Sequence, residues 1–316
     1  MAAPETPIFC LMGPTGAGKT AAALWLAARR PVEILSVDSA LVYRGMDIGT
    51  AKPNPAERAR VPHHLVDCCL PEDTFSVAQF LDAMRQLLPG VRARGRIPLL
   101  VGGTGLYFRR LEQGLADIPA IPPEVRAAVA DELARLGKQA LHEALAAVDP
   151  ASAARIHPND PQRVTRALEV FRATGRPLSA WVLASAGQGW PLRKVVLAPA
   201  GRRALDQRLA RRFHGMLERG FLNEVRALRG RDGLTAAHPA MRAVGYREAW
   251  AHLDGELDRA SMVRRVIDST RHYAKRQYTW FRGEEGACWL DPDQPGTRDS
   301  LLEMLDDTGG GQFDGV

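Results

Sequence analysis

The octapeptide Gly-Pro-Thr-Gly-Ala-Gly-Lys-Thr at 13–20, directly after the apolar run Ile8–Met12, restricts this chain more than any other feature. Glycines let backbone N–H groups converge on phosphate oxygens, and a helix starting behind them adds a favourable dipole. The pattern predicts a strand over 8–12, a phosphate loop, and a helix through Ala21 and Leu24 to Arg30. Gly13, Pro14, Thr15, Gly16, Ala17, Gly18, Lys19 and Thr20 then form a cradle for a diphosphate. Lys19 reaches the terminal phosphate, and the Thr20 hydroxyl is the candidate ligand for Mg²⁺. A plain tight turn is the competing account, and the complete motif between strand and helix disfavours it. The motif specifies a diphosphate without specifying ATP. A nucleotide-hydrolysing enzyme also needs an acid at the end of a second apolar strand. The run IPLLVGG at 97–103 ends in glycines, whereas VEILSV at 32–37 ends in Asp38, followed by SALVY.

Strand candidates at 8–12, 32–37 and 99–101 alternate with helical stretches, which predicts an α/β fold: a doubly wound parallel sheet of the P-loop NTPase-like kind. Ligands of such sheets sit at the carboxyl ends of the strands, so the three loops there should share one crevice. From about 114 to 190 the texture becomes purely helical, opened by Pro119, Pro122 and Pro123. We expect a core of 1–113 and 191–316 with a helical insertion domain at 114–190. A strand at 194–197 returns the chain to the core, and basic helices follow to about 282. The acidic tail from 284, with Gly309–Gly311, is expected to be partly disordered. With 316 residues, 46% hydrophobic, the chain can bury a core and carry a second, smaller domain.

No apolar stretch approaches the roughly 18 residues of a membrane span, and the N-terminus lacks a basic n-region. The four cysteines show no C-x-x-C spacing, which argues against a disulfide framework or zinc site and for a reducing compartment. A cytoplasmic protein is expected. His63-His64 completes no metal spacing and is read as structural. Charge is uneven: residues 151–283 hold 25 Lys+Arg against 11 Asp+Glu, and residues 284–316 hold one against nine. The basic region is the footprint of a polyanionic partner; its bland alternative is a solvated arginine-rich surface.

Three stretches, GPTGAGKT at 13–20, VDSALVYRGMDIGTAKP at 37–53 and VGGTGLY at 101–107, together resemble the bacterial tRNA dimethylallyltransferase (isopentenyltransferase) family. VPHHLVD at 61–67, DPQRVTRALEV at 160–170, RAVGYRE at 242–248 and AKRQYTWFRG at 274–283 extend the resemblance across roughly residues 8–283. Eukaryotic members carry a C-terminal zinc finger that has no counterpart here, so the bacterial form is implied. The resemblance implies transfer of a dimethylallyl group from dimethylallyl diphosphate to N6 of an adenosine. That adenosine lies 3′ of the anticodon in tRNAs that read codons beginning with U. The glycine loop would then hold an isoprenoid diphosphate, and tRNA and dimethylallyl diphosphate are the expected partners of a monomer.

The same resemblance distributes roles. Asp38 would take the proton from N6 as general base, or hold Mg²⁺ through water; the two need not exclude each other. Thr104 would orient the adenine or the diphosphate, and Arg212 would face the diphosphate, with Arg211 adjacent to it. Ser39, Ala40 and Leu41 would contact the flipped base. On the insertion, Arg126 and the run Gln162, Arg163, Val164, Thr165 and Arg166 would meet tRNA, with Val164 packing inward. The core would add Arg242, Ala243, Val244, Gly245, Tyr246 and Arg247. Lys275, Arg276, Gln277, Tyr278, Thr279, Trp280, Phe281 and Arg282 would complete the surface. Tyr246, Tyr278, Trp280 and Phe281 suit stacking on unpaired bases, although core packing is the stronger expectation for Trp280 and Phe281. Rivals are an adenylate isopentenyltransferase acting on free AMP, ADP or ATP, a small-molecule kinase on the same sheet, and a non-catalytic RNA-binding protein. The basic region and the helical insertion favour a large RNA acceptor.

Overall fold

The computed structural model describes residues 6–184 and 189–308. Six strands form one sheet: β1 (Ile8–Met12), β2 (Val32–Val37), β3 (His63–His64), β4 (Ile97–Gly102), β5 (Leu192–Leu197) and β6 (Cys288–Leu290). Their order is β3-β2-β4-β1-β5-β6, and every pairing is parallel. β1 and β2 are buried at every residue, which is why each reads as an unbroken apolar run rather than an alternating one. β1 lies between β4 and β5, with Phe9 opposite Leu99 and Ile8 opposite Leu192. This register puts the loops after Met12, Val37 and Gly102 at one edge of the sheet.

Two strands escaped the sequence. β3 is two residues long and joins Ile34 and Leu35 at one edge; β6 joins Val195–Leu197 at the other. β6 also shows that the first part of the acidic tail is ordered. Residues 284–308 are folded, with a helix Thr297–Asp306 that buries Leu301 and Leu305 against Phe9, Leu24 and Val195 of the sheet layer. The apolar pair Leu301 and Leu305, one helical turn apart, outweighs the acidity of the helix because Asp299 and Glu303 on its other side stay exposed. Gly309–Gly311 lies outside the described residues.

The chain divides into two units, 1–109 with 190–316, and 110–189. In the second, helices Pro123–Val148 and Pro161–Thr174 pack through Val129, Leu141, Leu145, Val164 and Leu168. The first helix breaks at Gly137, whose φ is 80°. In the first unit, helices Arg202–Glu218, Phe221–Arg229, Tyr246–Leu253 and Arg259–Arg282 close a second core around Phe213, Phe221, Tyr246 and Met262. Among the described residues no helix is long and apolar enough to cross a membrane.

Candidate active site

The glycine loop leaves β1 under a steric constraint. A Cβ on Gly13 would collide with the Leu197 carbonyl of β5, so only glycine passes here. The helix Lys19–Ala27 starts immediately behind the loop. Lys19 Nζ donates to the carbonyl oxygens of Gly13 and Pro14, both at 2.8 Å. Gly13, Pro14 and Ala17 are buried beneath the loop. Thr15, Gly16, Gly18, Lys19 and Thr20 instead line a cavity of about 1070 Å³.

Asp38, at the end of β2, lines the same cavity, and so do Ser39, Ala40, Leu41, Arg212 and Tyr273. Asp38 Oδ1 accepts the N–H of Ala40 at 2.9 Å, which pins the carboxylate to its own turn. Thr104 does not border the cavity; its hydroxyl accepts the Ser39 N–H at 3.1 Å and ties the loop after β4 to the loop after β2. Between the two candidate arginines, Arg212 faces the cavity and Arg211 is exposed. Arg212 also donates to the Thr50 carbonyl at 3.4 Å.

The charges in this wall feel one another. Burial pushes the Lys19 ammonium down to about 8; Asp38 partly offsets this, and Arg212 adds to it. Arg212 is lowered by burial and supported by Asp38. The Tyr273 phenol is pushed well up, by burial first and by the Asp38 charge second. A carboxylate, an ammonium and a guanidinium thus share a poorly hydrated wall, where a group bearing several negative charges relieves the cation–cation repulsion. The donors also fit Mg²⁺. Thr20 and Asp38 offer two oxygens, and an ion of this kind needs only one or two protein ligands when phosphates and water complete its shell. Among the described residues there is no cluster of three or more His, Cys, Asp or Glu side chains for an all-protein cage.

The segment 47–51 closes another side of the cavity through Gly49, Thr50 and Ala51. Glu224 holds it: the carboxylate accepts the N–H groups of Asp47, Ile48 and Gly49 at 2.9, 2.6 and 3.1 Å, and the Tyr246 hydroxyl at 2.6 Å. Neither Glu224 nor Tyr273 was selected from the sequence. Tyr273 could have been found from helical period. Met262, Val266, Thr270, Ala274, Gln277 and Phe281 run along one face of their helix, and Tyr273 borders that face.

The residues expected to meet tRNA fall into two groups. Arg126, Gln162, Arg163 and Arg166 are exposed in the unit 110–189, with Thr165 half-buried and Val164 buried in its core. Arg163 and Arg166 pair with Asp160 and Glu169 at 3.4 and 3.7 Å, so part of their charge is already met. In the other unit Arg242, Arg247, Lys275, Arg276, Thr279 and Arg282 are exposed, and Arg242 to Tyr246 line the cavity. Stacking by Tyr246 needs correction: its ring is fully buried and edge-on to Phe221, because its position points into the core, while Phe281 is fully buried, as its expected core packing requires. Tyr278 is half-buried, donates to the Pro199 carbonyl at 2.9 Å and stacks on Trp289. Trp280 is half-buried beneath the Arg109 guanidinium, 4.2 Å from its ring centre. His64 pairs with Glu33 at 2.7 Å, a structural contact.

The sheet and this wall define a P-loop-like α/β protein in which a glycine-rich loop and a strand-end carboxylate line one cavity. Residues 41–284 match the model of the IPP transferase family. The chain belongs to that family. It is 51% identical over 306 residues to a tRNA dimethylallyltransferase of Methylococcus capsulatus, covering 96% of this chain and 98% of the relative. The solved structure of a tRNA isopentenylpyrophosphate transferase from Bacillus halodurans superposes with a TM-score of 0.69 at 36% identity, covering 96% of this chain and 98% of that one. A eukaryotic dimethylallyltransferase acting on tRNA gives a TM-score of 0.80 at 26% identity, over 95% of this chain and 78% of that one.

Proposed function

We propose that this chain transfers the dimethylallyl group of dimethylallyl diphosphate to N6 of the adenosine 3′-adjacent to the anticodon, in tRNAs that read codons beginning with U, releasing diphosphate. The observation that carries the proposal is the single cavity on which Lys19, Arg212 and the glycine loop meet Asp38. The allylic C–O bond breaks and its electron pair leaves with the diphosphate. Backbone N–H groups of the loop, Lys19 and Arg212 meet that growing charge from the cavity wall. N6 forms the new C–N bond and its proton passes to Asp38. Thr20 and Asp38 would hold Mg²⁺, which would supply further neutralisation of the leaving group. Thr104 positions the turn that carries Asp38. The exposed cations of both units bind the phosphates of the RNA, and Ser39, Ala40 and Leu41 border the extruded base. The chain acts as a monomer in the cytoplasm.

The test is incubation with isotopically labelled dimethylallyl diphosphate and either tRNA or AMP, without ATP. Label should enter tRNA and stay out of AMP. Coupled ATP hydrolysis, or labelling of AMP as readily as of tRNA, would reject the proposal.

A further inference from the structure

Gln277 sits among Lys275, Arg276 and Thr279, all exposed, yet its own side chain is 6% exposed. The helix Arg259–Arg282 turns it inward with Ala274 and Phe281. Its amide is used at both ends. Oε1 accepts the Thr15 N–H of the glycine loop at 2.9 Å, and Nε2 donates to the Gly103 carbonyl, also at 2.9 Å. Gly103 precedes Thr104, whose hydroxyl holds the Ser39 N–H beside Asp38. One side chain therefore links the loop that lines the anion side of the cavity to the turn that carries the acid.

We propose that Gln277 is a positioning residue for the transfer, setting the spacing between the diphosphate loop and the Gly103–Thr104 loop that braces the Asp38 turn, and that it makes no contact with RNA. The proposal rests on the reading that the glycine loop holds diphosphate. A carboxamide of this length can accept from one main chain and donate to another at once. Glutamate at the same position keeps the acceptor for Thr15 but sets a charged oxygen against the Gly103 carbonyl. Methionine fills the space and leaves both main-chain groups without a partner, a loss with a known penalty for buried groups.

The experiment uses wild type, Gln277→Met and Gln277→Glu. It measures affinity for inorganic diphosphate with Mg²⁺ by calorimetry, affinity for tRNA by filter binding, and kcat and KM for dimethylallyl diphosphate. Wild type that fails to bind inorganic diphosphate would overturn the reading of the loop, whatever the variants do. With wild type binding, Gln277→Met should weaken diphosphate and raise KM about tenfold, the loss of one buried and one partly buried hydrogen bond, while tRNA affinity stays within about twofold. Gln277→Glu should lose as much at pH 8 and recover part of it, relative to wild type, at pH 5.5, where a protonated carboxyl donates to Gly103. That recovery is not expected of a residue that merely fills space. Weakened tRNA binding with diphosphate binding intact would make Gln277 an RNA reader and overturn the proposal, as would two variants indistinguishable from wild type. If the Met variant melts early, the pH response of the Glu variant decides: recovery supports the proposal and a flat profile overturns it.

Discussion

Asp38 and Lys19 face one cavity with opposite tasks, and each gives a separable result. Asp38→Asn keeps shape and removes basicity, so single-turnover transfer at saturating substrates should fall about 10²–10⁴-fold while tRNA affinity falls much less. A near-normal rate would remove Asp38 as the base. Lys19, held near 8 by burial, is charged below that pH and neutral above it. The charged form binds diphosphate, so kcat/KM for dimethylallyl diphosphate should fall as pH rises through about 8. In Lys19→Arg that inflection should vanish, because a guanidinium stays protonated over the range. A pH–rate profile from 6.5 to 9.5 checks both. Asp38 was legible because it stands where an apolar run stops, at the carboxyl end of a strand where such sheets bind, and Lys19 because the glycine motif fixes its place. The burial of Gln277 and Tyr246 could not be read from type or motif. For Gln277 only helical phase, shared with buried Ala274 and Phe281, tells inside from outside.

Among the elements, the segment 47–51 is held from outside itself, by Glu224 and by the rings packed on Gly49. A Cβ on Gly49 would run into Phe221 and Tyr246, both fully buried and unable to yield. Gly49→Ala should therefore cost about 1–3 kcal/mol of stability in urea denaturation and distort the cavity wall. Tyr246→Phe removes one donor from Glu224 and should cost about 1 kcal/mol. Glu224→Leu strands three backbone N–H groups and should cost more than Tyr246→Phe while raising KM, measured by the same denaturation and by initial rates. An unchanged KM would show that the segment holds its shape without the carboxylate. The four longer strands were visible in the sequence as apolar runs. β3 and β6 were not, since strands of two and three residues are too short to show a hydrophobic pattern. The helix in the acidic tail was not legible for a related reason: net charge reports the wet face of the helix Thr297–Asp306 and is silent about Leu301 and Leu305 beneath it.

For the molecule as a whole, the dominant quantity is the charge of residues 151–283. If these cations neutralise RNA phosphates, log affinity for tRNA should fall linearly with log salt, at roughly 0.7–0.9 per phosphate contacted. Arg166→Ala or Lys275→Ala should flatten the slope by about one contact each. The KM for dimethylallyl diphosphate should move less. An isolated anticodon stem-loop should keep a good part of the affinity, because it contains the reacting base. A salt titration with full-length tRNA and with the stem-loop checks all of this, and a flat wild-type slope would contradict it.

The two hydrogen bonds from Lys19 to the Gly13 and Pro14 carbonyls bear on the end of the reaction as well as its start. The ammonium has partners of its own, one residue and two residues away from Thr15, that do not depend on any ligand. An anion entering the loop competes with them, and an anion leaving hands the ammonium back. The stabilisation an incoming diphosphate gains from Lys19 is thus a difference between two sets of bonds. On the side of Lys19, the released diphosphate is held only by that difference. A loop built this way can stabilise charge at the moment of bond breaking and still give up its product, which is what repeated turnover requires.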